Sequence, residues 1–213
     1  MQKQLFILGA GGHGTVIADA AEKMNSWERI FFLDDDHLGQ DILGYRVIDS
    51  VKNVKNYKRK ENYFIVAIGN NLTRKKIQSE LEKNEYNIAT IIHPFSSIGK
   101  GSSIGKGSVV LAGSIVSPSV LIGNGCILNT SCSVDHNSVL GEFVHLSPGT
   151  RLAGNVLIGE NSWLGTNATV INNIQIEKDS IIGANSLVIN DILEKGTYVG
   201  SPVRKTIKKH NDN

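Results

Sequence analysis

The stretch LNTSCSVDHNSVLGEFVHLSPGT, residues 128–150, holds the side chains best equipped for chemistry: Asn129, Asp135, His136, Asn137 and His145. An imidazole with an unperturbed pKa of about 6.5 is mostly neutral at pH 7 and can take a proton from an attacking nucleophile. A neighbouring carboxylate or amide can hold its tautomer. The same histidine can equally be a turn residue bonded to backbone, and Asp135 can cap a backbone N–H, so residue types alone leave both readings open. A zinc site of three histidines lacks its third ligand, because residues 98–188 offer only His136 and His145.

A second candidate lies near the start. Gly9-Ala10-Gly11-Gly12-His13-Gly14 is a G-x-G-x-x-G between a strand-like QLFIL (residues 4–8) and a helix-like VIADAAEKM. Asp34 follows Gly14 by twenty residues, at the end of RIFFL (29–33), with Asp35 and Asp36 after it. This is the strand, glycine turn, helix, strand, acid order of a nucleotide-binding βαβ unit. The glycines let backbone N–H groups approach a diphosphate at a helix N-terminus, and the acid accepts from a ribose or base donor. The alternative is a tight turn and nothing more. A third strand, YFIVAIG (63–69), ends at Gly69-Asn70-Asn71, and a helix with a polar face follows, TRKKIQSELEKN. The segment ends near residue 90 without a second nucleotide-binding half, so a single nucleotide fits better than a dinucleotide.

Both candidates need a frame. From Ile98, every sixth residue through Val188 is aliphatic, sixteen positions without a gap. The position four further on is usually small (Ser102, Ser108, Cys126, Cys132, Ala168), and the next after the aliphatic one is often glycine (Gly99, Gly123, Gly141, Gly165). An unbroken hexapeptide period specifies a parallel β-helix with three strands and three corners per eighteen-residue coil. The aliphatic residues point inward and stack coil on coil, the small ones fit inside the corners, and Gly or Asn (Asn124, Asn137, Asn161, Asn167, Asn185) takes the positive φ there. Helices of this period wind left-handed, an exception to the right-handed crossover rule. The fold class expected is an α/β Rossmann-like βαβ domain, residues 1–90, followed by an all-β left-handed parallel β-helix, residues 91–213.

Composition agrees with a globular chain of two small domains: 213 residues, 40% hydrophobic, 20% charged. A net charge of +2 gives no argument for nucleic acid. Arg204, Lys205, Lys208 and Lys209 read as a solvated tail with His210; His37 reads as a solvated loop residue and His93, before Pro94, as structural. Cys126 and Cys132 serve as corner fillers. No stretch is apolar enough to span a bilayer, and the opening residues do not form a signal peptide, so a cytoplasmic location is expected. Trp163 is either a contact between subunits or a wall of a ligand groove.

The combination of GAGGHG, LDDD and AIGNN with LNTSCSVDHNSVLGEFVHLSPGTRLAGNVLIG resembles the bacterial sugar acyltransferases that acetylate UDP-4-amino-4,6-dideoxy sugars, GDP-perosamine or sialic acid. The resemblance spans essentially the whole chain. It implies an acetyl-coenzyme A-dependent N-acetyltransferase of surface glycan biosynthesis, with a UDP-sugar favoured and sialic-acid O-acetylation the alternative. It implies a homotrimer with coenzyme sites at its seams and no metal. Gly11, Gly12, His13, Asp34, Asp35 and Gly69 would contact the nucleotide sugar, with Asn129 beside the acceptor. His136 would be the general base; Asp135 or Asn137 would support it. His145, Gly154, Thr166, Ala184 and Arg204 would line the acetyl-coenzyme A site. Amino-sugar members often carry an acid after the base, where this chain has Asn137. The same scaffold also carries γ-type carbonic anhydrases, a distant alternative for which the third histidine is missing.

Overall fold

The computed structural model describes residues 3–206; Lys208, Lys209 and His210 of the basic tail lie outside them. The chain begins with β1 (Gln4–Leu8), α1 (Gly12–Lys23), β2 (Arg29–Leu33), β3 (Asp41–Ile42), β4 (Tyr45–Asp49), a 3₁₀ helix (Val51–Tyr57), β5 (Asn62–Val66), α2 (Asn71–Lys83) and β6 (Asn87–Ile88). The sheet order is β3-β4-β2-β1-β5-β6, parallel except for β3 against β4. After their first residues, Gln4 and Asn62, β1 and β5 are apolar runs because both faces of the sheet are covered. Ile17, Ala18 and Ala21 of α1 cover one face. Leu81 of α2 with Val51, Val54 and Tyr57 of the 3₁₀ helix covers the other, over Phe6 and Phe64. Chain order reverses between β1 and β5, which leaves a crevice at their C-terminal ends, where ligands bind in open α/β sheets.

From Ile91 the chain winds into a left-handed β-helix of two-residue strands, eighteen residues per coil. Face one runs from Ile91–Ile92 to Thr197–Val199, face two from Ser97–Ile98 to Leu187–Val188, and face three from Ser103–Ile104 to Gln175–Ile176. The expected inward residues are buried from Val110 to Val188. Ile98 is 38% exposed and Ile104 half-buried, because their strands are the first of faces two and three and no coil lies beneath them. The corners from Gly101 to Asn185 each carry a positive φ, mostly on Gly in the early coils and mostly on Asn later. Asn124 is not among them. Gly125 takes that backbone, and the Asn124 side chain instead accepts from Lys106 N at 2.9 Å and donates to Glu142 at 2.9 Å. Gly141 and Gly165 are glycine because a Cβ there would lie 2.7 and 2.6 Å from backbone of the next coil. Ser108 shows why corner residues are small and polar. It is fully buried, donates to Gly123 O and accepts from Cys126 N. Cys126 and Cys132 fill equivalent corners, and burial pushes their thiols up to about 12 and 11, which makes them unreactive.

The α/β unit docks along face one. Ile91, Val109 and Leu111 of the first coils share a core with α1. α2 lies along the corner between faces three and one. Its residues at positions i, i+3 and i+7 reach successive coils: Asn71 donates to Asn161 O and Ser162 O, Arg74 to Gly125 O and Phe143 O, and Gln78 to Lys106 O. The match arises because the roughly 5.4 Å pitch of an α-helix is close to the roughly 4.8 Å spacing of β-coils. The polar face of α2 therefore meets a column of backbone carbonyls. Among the described residues no helix is long and apolar enough to cross a membrane.

Candidate active site

The glycine turn forms as its spacing predicts. Gly9 has φ +109° and donates to Leu33 O. A Cβ on Gly14 would lie 2.1 Å from Gly9 O, so α1 could not pack this close to β1 with any larger residue. Gly11 caps α1 and Gly12 opens it, and a Cβ on either would meet nothing within 4 Å. The N–H groups of Gly11, Gly12 and His13 have no acceptor among the described residues, nor do those of Gly69, Asn70 and Asn71 at the start of α2. Two helix N-termini thus present free donors to one crevice, an arrangement suited to a diphosphate.

Asp34 and Asp35 have different tasks. Asp34 accepts from Ala10 N (2.8 Å), Asp36 N (2.9 Å) and His37 N (3.1 Å), and pairs with His37 Nδ1 at 2.8 Å. Burial pushes its carboxyl up, but these bonds outweigh burial and hold it below the usual range. It clasps the glycine turn and the loop that follows β2. Asp35 is exposed, accepts from Ser50 Oγ, and faces a cavity of about 350 Å³ with Leu8, Lys52 and Tyr86.

A second cavity, of about 530 Å³, lies between the Gly69–Leu72 loop and the upper half of face one, where His145, Trp163 and Ile181 stand one above another. Trp163 stacks on His145 with ring centroids 6.0 Å apart, and its Nε1 donates to Ser147 Oγ at 2.8 Å. Trp163 is therefore a wall of this cavity. Nε2 of His13 and of His145 are buried with no partner among the described residues. Burial and then Arg74 push His13 down to about 4; burial, Arg74 and His13 push His145 down to about 3 against a bond to the Gly69 backbone. Both rings are neutral in the fold, while unfolded histidines titrate near about 6.5. The stability they contribute is full above that pH and is lost as the pH falls toward the folded values. The melting temperature is thus expected to fall as pH drops from about 6.5 to 4, and the His13→Gln/His145→Gln double variant to show a shallower decline. Superimposable curves for the two proteins would refute the assignment.

His136 stands elsewhere. It projects, exposed, from the corner between faces two and three, which is the edge of the prism opposite face one. Its Nδ1 lies 3.3 Å from Asn137 Nδ2. Asp135 bonds the backbone N–H of His136 at 2.8 Å, and that bond and the Ser117 hydroxyl hold its carboxyl below the usual range. It supports the corner through the backbone, and its recorded bonds do not reach the ring. Gly154, one coil on, is the floor under the imidazole: a Cβ there would lie 2.6 Å from His136 Nε2. Asn129, Thr166 and Ala184 occupy the corner between faces one and two, and Arg204 lies on the closing edge strand of face one. One chain therefore does not gather Asn129, Asp135, His136 and His145 into a cluster. A step of nine residues separates the histidines, and half a coil carries the chain to the other side of the prism. Arg74 was not singled out by sequence reasoning, and a lysine- and glutamate-rich helix face carries no signal that one of its arginines is buried.

Residues 4–81 match the PglD N-terminal domain and residues 155–190 the bacterial transferase hexapeptide (six repeats). The acetyltransferase domain of PglB from Neisseria gonorrhoeae FA1090, solved with acetyl coenzyme A, is 33% identical, with a TM-score of 0.94 over 97% of this chain and 100% of that one. PerB from Caulobacter crescentus, solved with CoA and GDP-perosamine, is 29% identical with a TM-score of 0.90, covering 95% and 97% of the two chains. WeeI from Acinetobacter baumannii AYE is 25% identical with a TM-score of 0.89, covering 96% and 100%. The chain belongs to the bacterial sugar acyltransferase family and is an acetyltransferase.

Proposed function

We propose that the protein transfers an acetyl group from acetyl-coenzyme A to the amino group of a UDP-linked 4-amino-4,6-dideoxy sugar, as a homotrimer in the cytoplasm. The observation that carries the reading is the division of the site. The crevice with two free helix N-termini and the neutral His145 lie on face one, whereas His136 stands on the opposite edge. A second copy, set with its edge against this face, supplies the missing histidine. The acetyl coenzyme A of the PglB structure and the CoA with GDP-perosamine of the PerB structure support acetyl-coenzyme A and a nucleotide-linked sugar as the two substrate classes.

In this reading the diphosphate takes the N–H groups of Gly11, Gly12, Gly69 and Asn70, and Asp35 meets the nucleoside. The sugar extends along Trp163 and Ile181, whose apolar surfaces suit a deoxygenated sugar carbon. The coenzyme lies in the seam between His136 with Gly154 of one chain and Thr166 with Ala184 of another. The amine nitrogen attacks the thioester carbonyl, and His136 Nε2 takes the proton that the nitrogen loses. The tetrahedral intermediate then collapses, the carbon–sulfur bond breaks, and the imidazolium returns the proton to the departing thiolate. Asn137 can hold the required tautomer by rotating its amide so that Oδ1 accepts from Nδ1–H.

Thermal shifts with UDP-, GDP- and CMP-sugars test the nucleotide, since bound ligand stabilises in proportion to ln(1 + [L]/Kd). Asp35→Ala is expected to raise KM for the sugar nucleotide and leave KM for acetyl-coenzyme A nearly unchanged. An equal rise in both would move the acceptor site away from the α/β unit. A preferred CMP-sugar with an ester product would replace amine acetylation by sialic-acid-type O-acetylation.

A further inference from the structure

We propose that Arg74 is a positioning residue of the sugar-nucleotide site, one that aims the Gly69–Asn70 amides at the ligand and whose buried charge a bound diphosphate balances. The assignment rests on the reading of the crevice given above.

Arg74 is 1% exposed. Nε donates to Gly125 O at 2.8 Å, Nη1 to Ile68 O and Gly69 O at 2.9 and 3.1 Å, and Nη2 to Asn71 Oδ1 and Phe143 O at 2.8 and 3.1 Å. All five N–H donors of the guanidinium are used, and every acceptor is a neutral oxygen. Among the described residues it makes no salt bridge. Burial pushes its pKa down to about 10, which leaves it charged at neutral pH. Burying a cation without a counter-charge is costly. The carbonyls it holds account for its place. In a trans peptide C=O and N–H point in opposite directions. Drawing the Ile68 and Gly69 carbonyls toward Arg74 turns the Gly69 and Asn70 N–H groups the other way, where they lack protein acceptors.

Phe143, the corner residue of its coil with φ +58°, supplies one of the five acceptors through its carbonyl. The guanidinium thus ties the loop that would bind phosphate to two successive coils of the β-helix, beside the two neutral histidines whose pKa values it helps to lower. An ammonium could supply the charge without the fork; a neutral side chain of similar length could supply neither.

The test compares wild type, Arg74→Lys and Arg74→Met as purified oligomers. Calorimetry with free nucleoside diphosphate reads binding, and steady-state kinetics read each KM separately. Arg74→Met is expected to weaken diphosphate binding and to raise KM for the sugar nucleotide by about 10-fold or more, with KM for acetyl-coenzyme A within about twofold. Arg74→Lys should fall between the other two, because it keeps the charge. A residue that only staples the two domains together would lower the melting temperature without this split, and the lysine would do no better than the methionine. Should Arg74→Met fail to fold, Arg74→Lys decides alone: an unchanged KM for the sugar nucleotide overturns the assignment. Wild-type protein that bound no sugar nucleotide would remove the proposed function and this role together. Tight wild-type binding shared by all three proteins would remove this role only.

Discussion

Alanine at His136 is expected to lower kcat by at least about 10²-fold while both KM values stay within about twofold, because general-base help is felt mainly in the transition state. The variant should report on chemistry with little interference from folding. The imidazole is exposed, its one recorded side-chain contact is with Asn137, and the corner it leaves keeps the Asn137 backbone conformation and the Asp135 bond to the backbone N–H of residue 136. Asp135→Asn should cost less, since its carboxylate serves the corner and its recorded bonds do not include the ring. Asn137→Glu should raise the apparent pKa of the pH–rate profile, because a carboxylate beside Nδ1 favours the imidazolium. If His136→Ala kept most of its kcat at neutral pH, the amine would have to arrive already deprotonated and the base would be discarded.

Two inactive variants are expected to rescue each other when assembled into one oligomer. Gly12→Glu is the partner for His136→Ala. A Cβ at Gly12 meets nothing within 4 Å, so the fold accepts a side chain there. A carboxylate in the first turn of α1 also suits the helix dipole, yet it occupies the position proposed for the diphosphate and repels it. Each homotrimer should be nearly inactive. In the proposed trimer each seam would join one chain's crevice to its neighbour's His136. In random mixtures made by co-expression at equal levels, about a quarter of seams then combine an intact crevice with an intact histidine. Activity should recover to about that fraction of wild type. Recovery near zero would mean that crevice and base come from one chain, and the division between face one and the opposite edge would have no functional meaning.

The β-helix is legible in the sequence because its determinants are local and repeat. One inward aliphatic residue per six and one corner residue able to adopt positive φ are visible without knowing what lies one coil away. The switch-point crevice is legible for a similar reason, since the glycine turn, α1 and the acids at the end of β2 follow one another within a single βαβ unit. Tertiary structure alone decided the rest. Two adjacent carboxylates look alike as residues, and only the packing of the turn makes Asp34 its clasp and leaves Asp35 facing a cavity. A polar helix face looks the same whether it meets water or a column of backbone carbonyls, and carbonyls carry no side-chain signature, so the burial of Arg74 and Gln78 could not be read in advance. Proximity in sequence also misleads in a coil. The step of nine residues from His136 to His145 places them in one stretch of text and, because nine is half of eighteen, on opposite sides of the prism.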